Sequence, residues 1–332
     1  MWRTSLLRTK NKDCLQVEFL KERSNFSMKI NLHPHYKAVF QSADIEKTWQ
    51  VLREYVKPDG LAIEQRMIPG INGAPEIDIK IFKPEHAPKG TPMILDIHGG
   101  GFNGGDYDLD NNRITHLAMN VPAIVVTVNY RLVPQHPFPA ALEDCYATWN
   151  WMYEHAEELG GDKERMGLFG TSAGGNLCAG LAFYIRDHGG PKISMSALNV
   201  PATGMGPTLS LEQMRFGAPT LQGDNLSAIF RAYIGGAKGG FNGCTPSYYA
   251  IPNLAIDYSN LPPTLVIVAE YDPIRDEGLK YARNLMKDAV PVELYMMPRV
   301  GHSFDAVAAA PMTKWIWDGV VMSFQREFGM YE

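Results

Sequence analysis

The apolar positions along the chain change period several times, and those changes divide it into elements. Over 43–56, Ile45, Trp49, Leu52 and Val56 are spaced for one apolar helical face. Two β-like runs follow: 63–68, and then Ile77, Ile79 and Ile81 alternating with Asp78 and Lys80. Pro69-Gly70 and Asn72-Gly73 separate them, which predicts an antiparallel hairpin. The runs 93–97 and 123–128 are nearly continuous and rich in branched side chains, as strands buried on both faces should be. Helical periodicity returns over 140–159, and a strand at 166–169 runs into a helix over 173–187. Strands at 193–200, 264–269 and 292–297 then alternate with helices near 278–289 and 312–328. This alternation predicts an α/β fold: a mostly parallel sheet with helices on both faces, entered through the hairpin.

One stretch breaks the rhythm. Residues 200–261 carry helical pieces at 211–216 and 226–233 among many Gly and Pro, and are too long for a plain connection. They predict an inserted cap, joined by the N-terminal helices, which also have apolar faces to bury. The expected organisation is an extension with cap helices over 1–60, core over 61–200, cap insert over 201–260 and core again over 261–332.

Composition narrows the function classes. The 332 residues are 45% hydrophobic and 20% charged, enough for a sizeable core. A formal net charge of −5 gives no electrostatic footprint for nucleic acid or an anionic membrane. The four cysteines, Cys14, Cys145, Cys178 and Cys244, lie far apart and read as free thiols in a reducing compartment. No run approaches the roughly 20 apolar residues of a membrane span. A soluble cytoplasmic protein is expected. The basic N-terminus (Arg3, Arg8, Lys10, Lys12) gives a weaker organellar reading, and Met28 is an alternative start.

The chemistry starts at Gly170-Thr171-Ser172-Ala173-Gly174, which fits the Gly-x-Ser-x-Gly nucleophile elbow between a strand and a helix. The serine sits on a strained turn, and side chains two residues either side would collide with neighbouring elements. Upstream, His98-Gly99-Gly100-Gly101-Phe102 leaves a strand as a loop whose N–H groups can face a developing oxyanion. Gly99, Gly101 and Gly104 also spell the dinucleotide pattern Gly-x-Gly-x-x-Gly. Against that reading stand the acidic Asp106, Asp108 and Asp110, and the absence of a ribose-binding acid after the next strand.

A serine nucleophile needs a base, and the base an orienting carboxylate. Of the nine histidines only His302 lies beyond the second half of the sheet, so it is the candidate base. Asp272, at the end of the strand 264–269, is the preferred acid, with Glu270 and Asp276 as competitors.

These residues resemble the hormone-sensitive-lipase family of carboxylesterases, bacterial family IV, within the α/β-hydrolase superfamily. The similarity runs from about Ile77 to the C-terminus. It rests on His98–Phe102, on Tyr130-Arg131-Leu132-Val133-Pro134 continuing to Asp144, on Gly170–Asn176, and on Asp272-Pro273-Ile274-Arg275-Asp276-Glu277-Gly278. The resemblance implies a triad of Ser172, Asp272 and His302, and an oxyanion hole from the N–H groups of Gly100, Gly101 and Ala173. It makes His98 a structural residue and the run 130–144 a scaffold.

Three departures stand out. Thr171 replaces the Asp of many members, Ser303 replaces the usual glycine after the histidine, and Asn103-Gly104-Gly105 is unusual. Ser303 should be tolerated unless its position needs a positive φ.

The expected function is hydrolysis of short- to medium-chain acyl esters through an acyl-enzyme, with no metal or organic cofactor. A small ester is the partner, nucleic acid is not, and relatives often form homodimers. Met205, Met214, Phe216, Phe230 and Tyr233 of the insert are expected to bury the acyl chain. Two alternatives are a non-catalytic receptor of the same fold, as in plant gibberellin receptors, and amide or lactone hydrolysis or elimination in the same site. The receptors lack the catalytic histidine that is present here.

Overall fold

The computed structural model describes residues 30–40, 50, 54–235 and 247–331. The expected helix over 43–56 lies almost wholly outside them, as do Cys14 and Cys244. After a short helix α1 (Pro34–Phe40), the hairpin forms as expected, β1 (Leu61–Ile68) pairing antiparallel with β2 (Ile77–Pro84). Six further strands follow: β3 (Thr91–Ile97), β4 (Ile124–Val128), β5 (Gly161–Thr171), β6 (Met195–Asn199), β7 (Thr264–Tyr271) and β8 (Val292–Gly301). They form one eight-stranded sheet of order β1-β2-β4-β3-β5-β6-β7-β8, parallel from β4 onward.

Helix α2 (Asn111–Asn120) joins β3 to β4, and α3 (Ala140–Glu154) and α4 (Ala156–Leu159) join β4 to β5. Next come α5 (Ala173–His188), α6 (Leu209–Gln213), α7 (Leu226–Tyr233), α8 (Arg275–Lys287) and α9 (Pro311–Glu327). The single helix expected over 140–159 is broken at His155, whose Nδ1 lies 2.9 Å from the Trp151 carbonyl oxygen. Helix α2 was not expected: its buried face includes Asn111 and Arg113, so the sequence shows no clean apolar stripe.

Alternate residues of the central strands feed two cores. Met93, Leu95 and Ile97 pack with α3 and α5 on one side; Ile94, Val125 and Phe169 pack with α2 and α9 on the other. Because the strands run parallel, their carboxyl ends converge on one edge. The glycine loop, Ser172, Asp272 and His302 all follow such ends.

Candidate active site

The strand β5 ends at Thr171, and α5 begins at Ala173, which leaves Ser172 one residue in which to turn the chain. It does so with φ 56° and ψ −114°, a conformation costly for a residue with a side chain. Main-chain bonds hold it there: Ser172 N–H donates to Asn199 O (2.9 Å), and its carbonyl accepts from Asn176 N–H and Ala202 N–H, both 3.1 Å. The flanking glycines are sterically required. A Cβ at Gly170 would lie 2.4 Å from Gly174 O, and one at Gly174 would lie 1.9 Å from Ile97 O.

His302 follows the last residue of β8, which runs four residues beyond the expected 292–297. Its Nε2 lies 2.8 Å from Ser172 Oγ and its Nδ1 2.8 Å from Asp272 Oδ2. Asp272 is fully buried, and its Oδ1 accepts from Ile274 N–H at 3.0 Å. With the carboxylate on Nδ1, that nitrogen carries the proton and Nε2 is free to accept one from the serine hydroxyl. The two competing acids are engaged elsewhere. Glu270 accepts from Arg299 N–H (2.6 Å), and Asp276 accepts from Ser210 N–H (2.8 Å) and Arg275 Nε (2.8 Å). Thr220 Oγ1 donates to His302 O at 2.6 Å, fastening the histidine loop to the 200–261 stretch.

Gly100 and Gly101 have φ 123° and 62°, and a Cβ at Gly100 would lie 2.1 Å from Gly104 O. Gly104 N–H donates back to Gly100 O at 3.0 Å, so the loop folds on itself, and the next helix waits until Asn111. A dinucleotide fingerprint would open a helix at Gly104, and this segment does not. Gly105 belongs to the same turn: its φ is 85°, and a Cβ would meet Gly99 O at 2.6 Å. Phe102 also has a positive φ (62°) and is anchored by stacking on Tyr233, ring centroids 3.7 Å apart.

His98 supports the loop from beneath. Burial holds its imidazole below the usual range, its ring stacks on Tyr130 at 4.2 Å, and its Nδ1 lies 2.7 Å from Gly99 O. Tyr130 Oη donates to His98 O (3.0 Å), and Val133 N–H donates to Phe102 O (3.0 Å). Asp144 in turn accepts from Arg131 N–H at 2.8 Å and from its Nε. The run 130–144 therefore props the glycine loop from the core side.

A cavity of about 210 Å³ opens over Ser172 and is lined by Gly100, Gly101, Ala173 and His302. Its apolar wall differs from the expected one. Of the five predicted side chains only Phe230 lines it, joined by Leu221, Leu226, Ile229, Val39 and Phe40. Helix α7 turns Leu226, Phe230 and Tyr233 inward, with Tyr233 spent on Phe102. Met214 is buried against Tyr271 and Ala218, whereas Met205 and Phe216 face solvent.

Ser303 has φ 58°, so the position does take the left-handed conformation, and serine there carries strain of order 1 kcal/mol that glycine would avoid. Thr171 Oγ1 accepts from Asn199 Nδ2 at 3.3 Å. Sequence reasoning missed a group of buried charges beside the site: Asp96, Asp110, Arg113 and Asp305. The signal was present in Asp96, a carboxylate inside the all-buried strand Thr91–Ile97, because a charge so placed needs a partner. Among the described residues, no group of three or more His, Cys, Asp or Glu side chains is arranged to hold a metal ion, and no helix is long and apolar enough to cross a membrane.

Known proteins resemble this chain in sequence and in fold. A family profile described as alpha/beta hydrolase fold matches residues 94–306. Carboxylesterase NlhH of Mycobacterium tuberculosis is 35% identical over 274 residues, covering 81% of this chain and 85% of that protein. Esterase LipI of the same organism is 36% identical over 230 residues, 69% of this chain and 71% of its own. Among solved structures, a bacterial heroin esterase superposes with a TM-score of 0.83 at 30% identity, covering 90% of this chain and 98% of that one. A hyperthermophilic esterase from the archaeon Pyrobaculum calidifontis superposes with a TM-score of 0.75 at 28% identity, covering 94% and 97%. The chain belongs to the hormone-sensitive-lipase-like carboxylesterase family of the α/β-hydrolase superfamily.

Proposed function

We propose that this carboxylesterase hydrolyses small esters of short- to medium-chain acids, with Ser172 as nucleophile, His302 as general base and acid, and Asp272 as its orienting carboxylate. The observation that carries the reading is the unbroken hydrogen-bond line from Ser172 Oγ through His302 to Asp272, 2.8 Å at each step, opening into an apolar cavity. In the first half-reaction Ser172 Oγ attacks the acyl carbon while His302 Nε2 takes its proton. The resulting oxyanion lies against the N–H groups of Gly100, Gly101 and Ala173, the last at the positive end of α5. The tetrahedral intermediate collapses as His302 protonates the leaving alcohol. Water, deprotonated by His302, then releases the acid from the acyl-enzyme through a second tetrahedral intermediate.

The described residues 30–40 and 201–235 act in this reading as part of the cap over the cavity. Support comes from Val39, Phe40, Leu226, Ile229 and Phe230, which line the same cavity as Ser172. A cytoplasmic location and a homodimer belong to the same proposal. The exposed Leu294 and Met296 on the open edge strand β8 support the homodimer.

The small cavity sets the substrate range. On p-nitrophenyl esters from acetate to palmitate, kcat/KM is expected to peak between acetate and hexanoate and to fall at least about tenfold by palmitate, as burial gains stop where the wall is reached. An optimum at palmitate would overturn the short-chain assignment.

A further inference from the structure

The buried charges lie beside the cavity, with Asp110 and Asp305 in its lining, on or next to the segments that carry the reacting groups. Arg113, on α2 and 2% exposed, points into the sheet edge. One guanidinium nitrogen meets Asp96 Oδ1 at 3.0 Å and Asp110 Oδ2 at 2.7 Å; another meets Asp110 Oδ1 at 2.9 Å and Asp305 Oδ2 at 3.2 Å. Its plane covers the Phe169 ring at 4.4 Å. Three of these four partners sit just before or after a part of the site. Asp96 lies on β3 two residues before His98, where the glycine loop leaves the strand. Phe169 lies on β5 three residues before Ser172. Asp305 lies in the short turn three residues after His302.

A second link closes the circuit. Asn199 Nδ2 donates to Asp305 Oδ2 (2.9 Å) and Thr171 Oγ1 (3.3 Å), while Asn199 O accepts from Ser172 N–H (2.9 Å). One residue of β6 thus joins the histidine loop to both residues of the nucleophile turn.

We propose that Arg113 is a positioning residue for the hydrolysis: through Asp96, Asp305 and Asn199 it holds the glycine loop, the histidine loop and the nucleophile turn in one fixed arrangement. The inference rests on the triad reading above. Its physical basis is the guanidinium fork, which offers five N–H donors in one plane and can bind several carboxylates from different directions at once. An ammonium is a single point charge and cannot span the same partners. Three carboxylates share this one cation, and burial raises Asp96, to about 7, and also Asp305 above the ordinary carboxylate range. Arg113 opposes both shifts.

The test measures kcat and KM on p-nitrophenyl butyrate for wild type, Arg113→Lys and Asp305→Asn, with active-site concentration set by titration to completion with a fluorophosphonate. Thermal melts report folding separately. Arg113→Lys is expected to lose at least about tenfold in kcat per labelled site with KM within about threefold, since sub-ångström misplacement acts on the chemical step. Asp305→Asn keeps the shape of the link but weakens its hold on Arg113, and is expected to lose kcat in the same way. Per-site kcat within about twofold of wild type in folded Arg113→Lys would overturn the proposal, as would a rise in KM at unchanged kcat, whatever the melting temperature does. If Arg113→Lys does not fold, the same criteria applied to Asp305→Asn decide it. A wild-type protein that neither hydrolyses the ester nor takes the label would instead overturn the triad reading itself.

Discussion

Replacing Asp272 with asparagine is expected to lower kcat by about 10⁴-fold while leaving the fold intact, because the substitution reverses the polarity of the hydrogen bond to His302. Ile274 N–H donates to Oδ1, and that bond requires an oxygen. In the variant the amide oxygen must therefore stay on Ile274, which turns the amide NH2 toward Nδ1. A donor facing Nδ1 forces the imidazole proton onto Nε2, the nitrogen that must accept the serine proton. The site would look unchanged and be unable to start the reaction. Asparagine has nearly the volume of aspartate and keeps the Ile274 bond, so the melting temperature should move little. Steady-state kinetics with a parallel thermal melt check this. A loss below about tenfold in kcat would remove Asp272 from its assigned role.

Gly174→Ala is expected to cost at least about 100-fold in kcat and a few kcal/mol of stability, since backbone rather than a flexible side chain occupies the space. A methyl group there would sit 1.9 Å from Ile97 O and 2.6 Å from His98 O. Those atoms belong to the strand end from which the glycine loop departs. Relief requires α5 to move away from the loop, separating the N–H of Ala173 from those of Gly100 and Gly101. Gly104→Ala supplies the contrast: its nearest neighbour would be Gly100 O at 3.7 Å, an ordinary contact. That variant should keep kcat within about threefold, because no donor is displaced. Equal damage from both substitutions would mean that the loop is fragile in general and that the elbow's packing is not the cause.

Much of this architecture could be read from the chain because its signals are local. Two turn dipeptides between β-like runs gave the hairpin, and continuous apolar runs gave the parallel strands. Ser172, Asp272 and His302 could be placed together because the fold's chain order and the ends of parallel strands constrain where each can lie. What escaped notice depends on partners distant in sequence. Asp96 and Arg113 are 17 residues apart, while Asp305 lies 192 residues beyond Arg113, and no periodicity announces that three carboxylates will share one guanidinium. The same burial hid α2, whose inward face carries Arg113 where an apolar residue would be expected. The cavity wall differs from the expected one for another reason. Apolar composition identifies residues that want burial, but the phase of α7 decides that Ile229 and Phe230 face the cavity while Tyr233 supports Phe102. Ser303 takes a left-handed turn although its side chain makes that conformation strained.

Covalent trapping shows most directly whether Ser172 carries the acyl group. Folded wild-type protein treated with a fluorophosphonate should gain one adduct, located by peptide mass spectrometry on Ser172, with loss of p-nitrophenyl butyrate hydrolysis in proportion to labelling. Ser172→Ala should take no adduct and retain no more than about 10⁻³ of wild-type turnover, the residual coming from binding and the oxyanion donors alone. An adduct on another residue, or a Ser172→Ala protein that still hydrolyses the ester at the wild-type rate, would rule out an acyl-enzyme at Ser172.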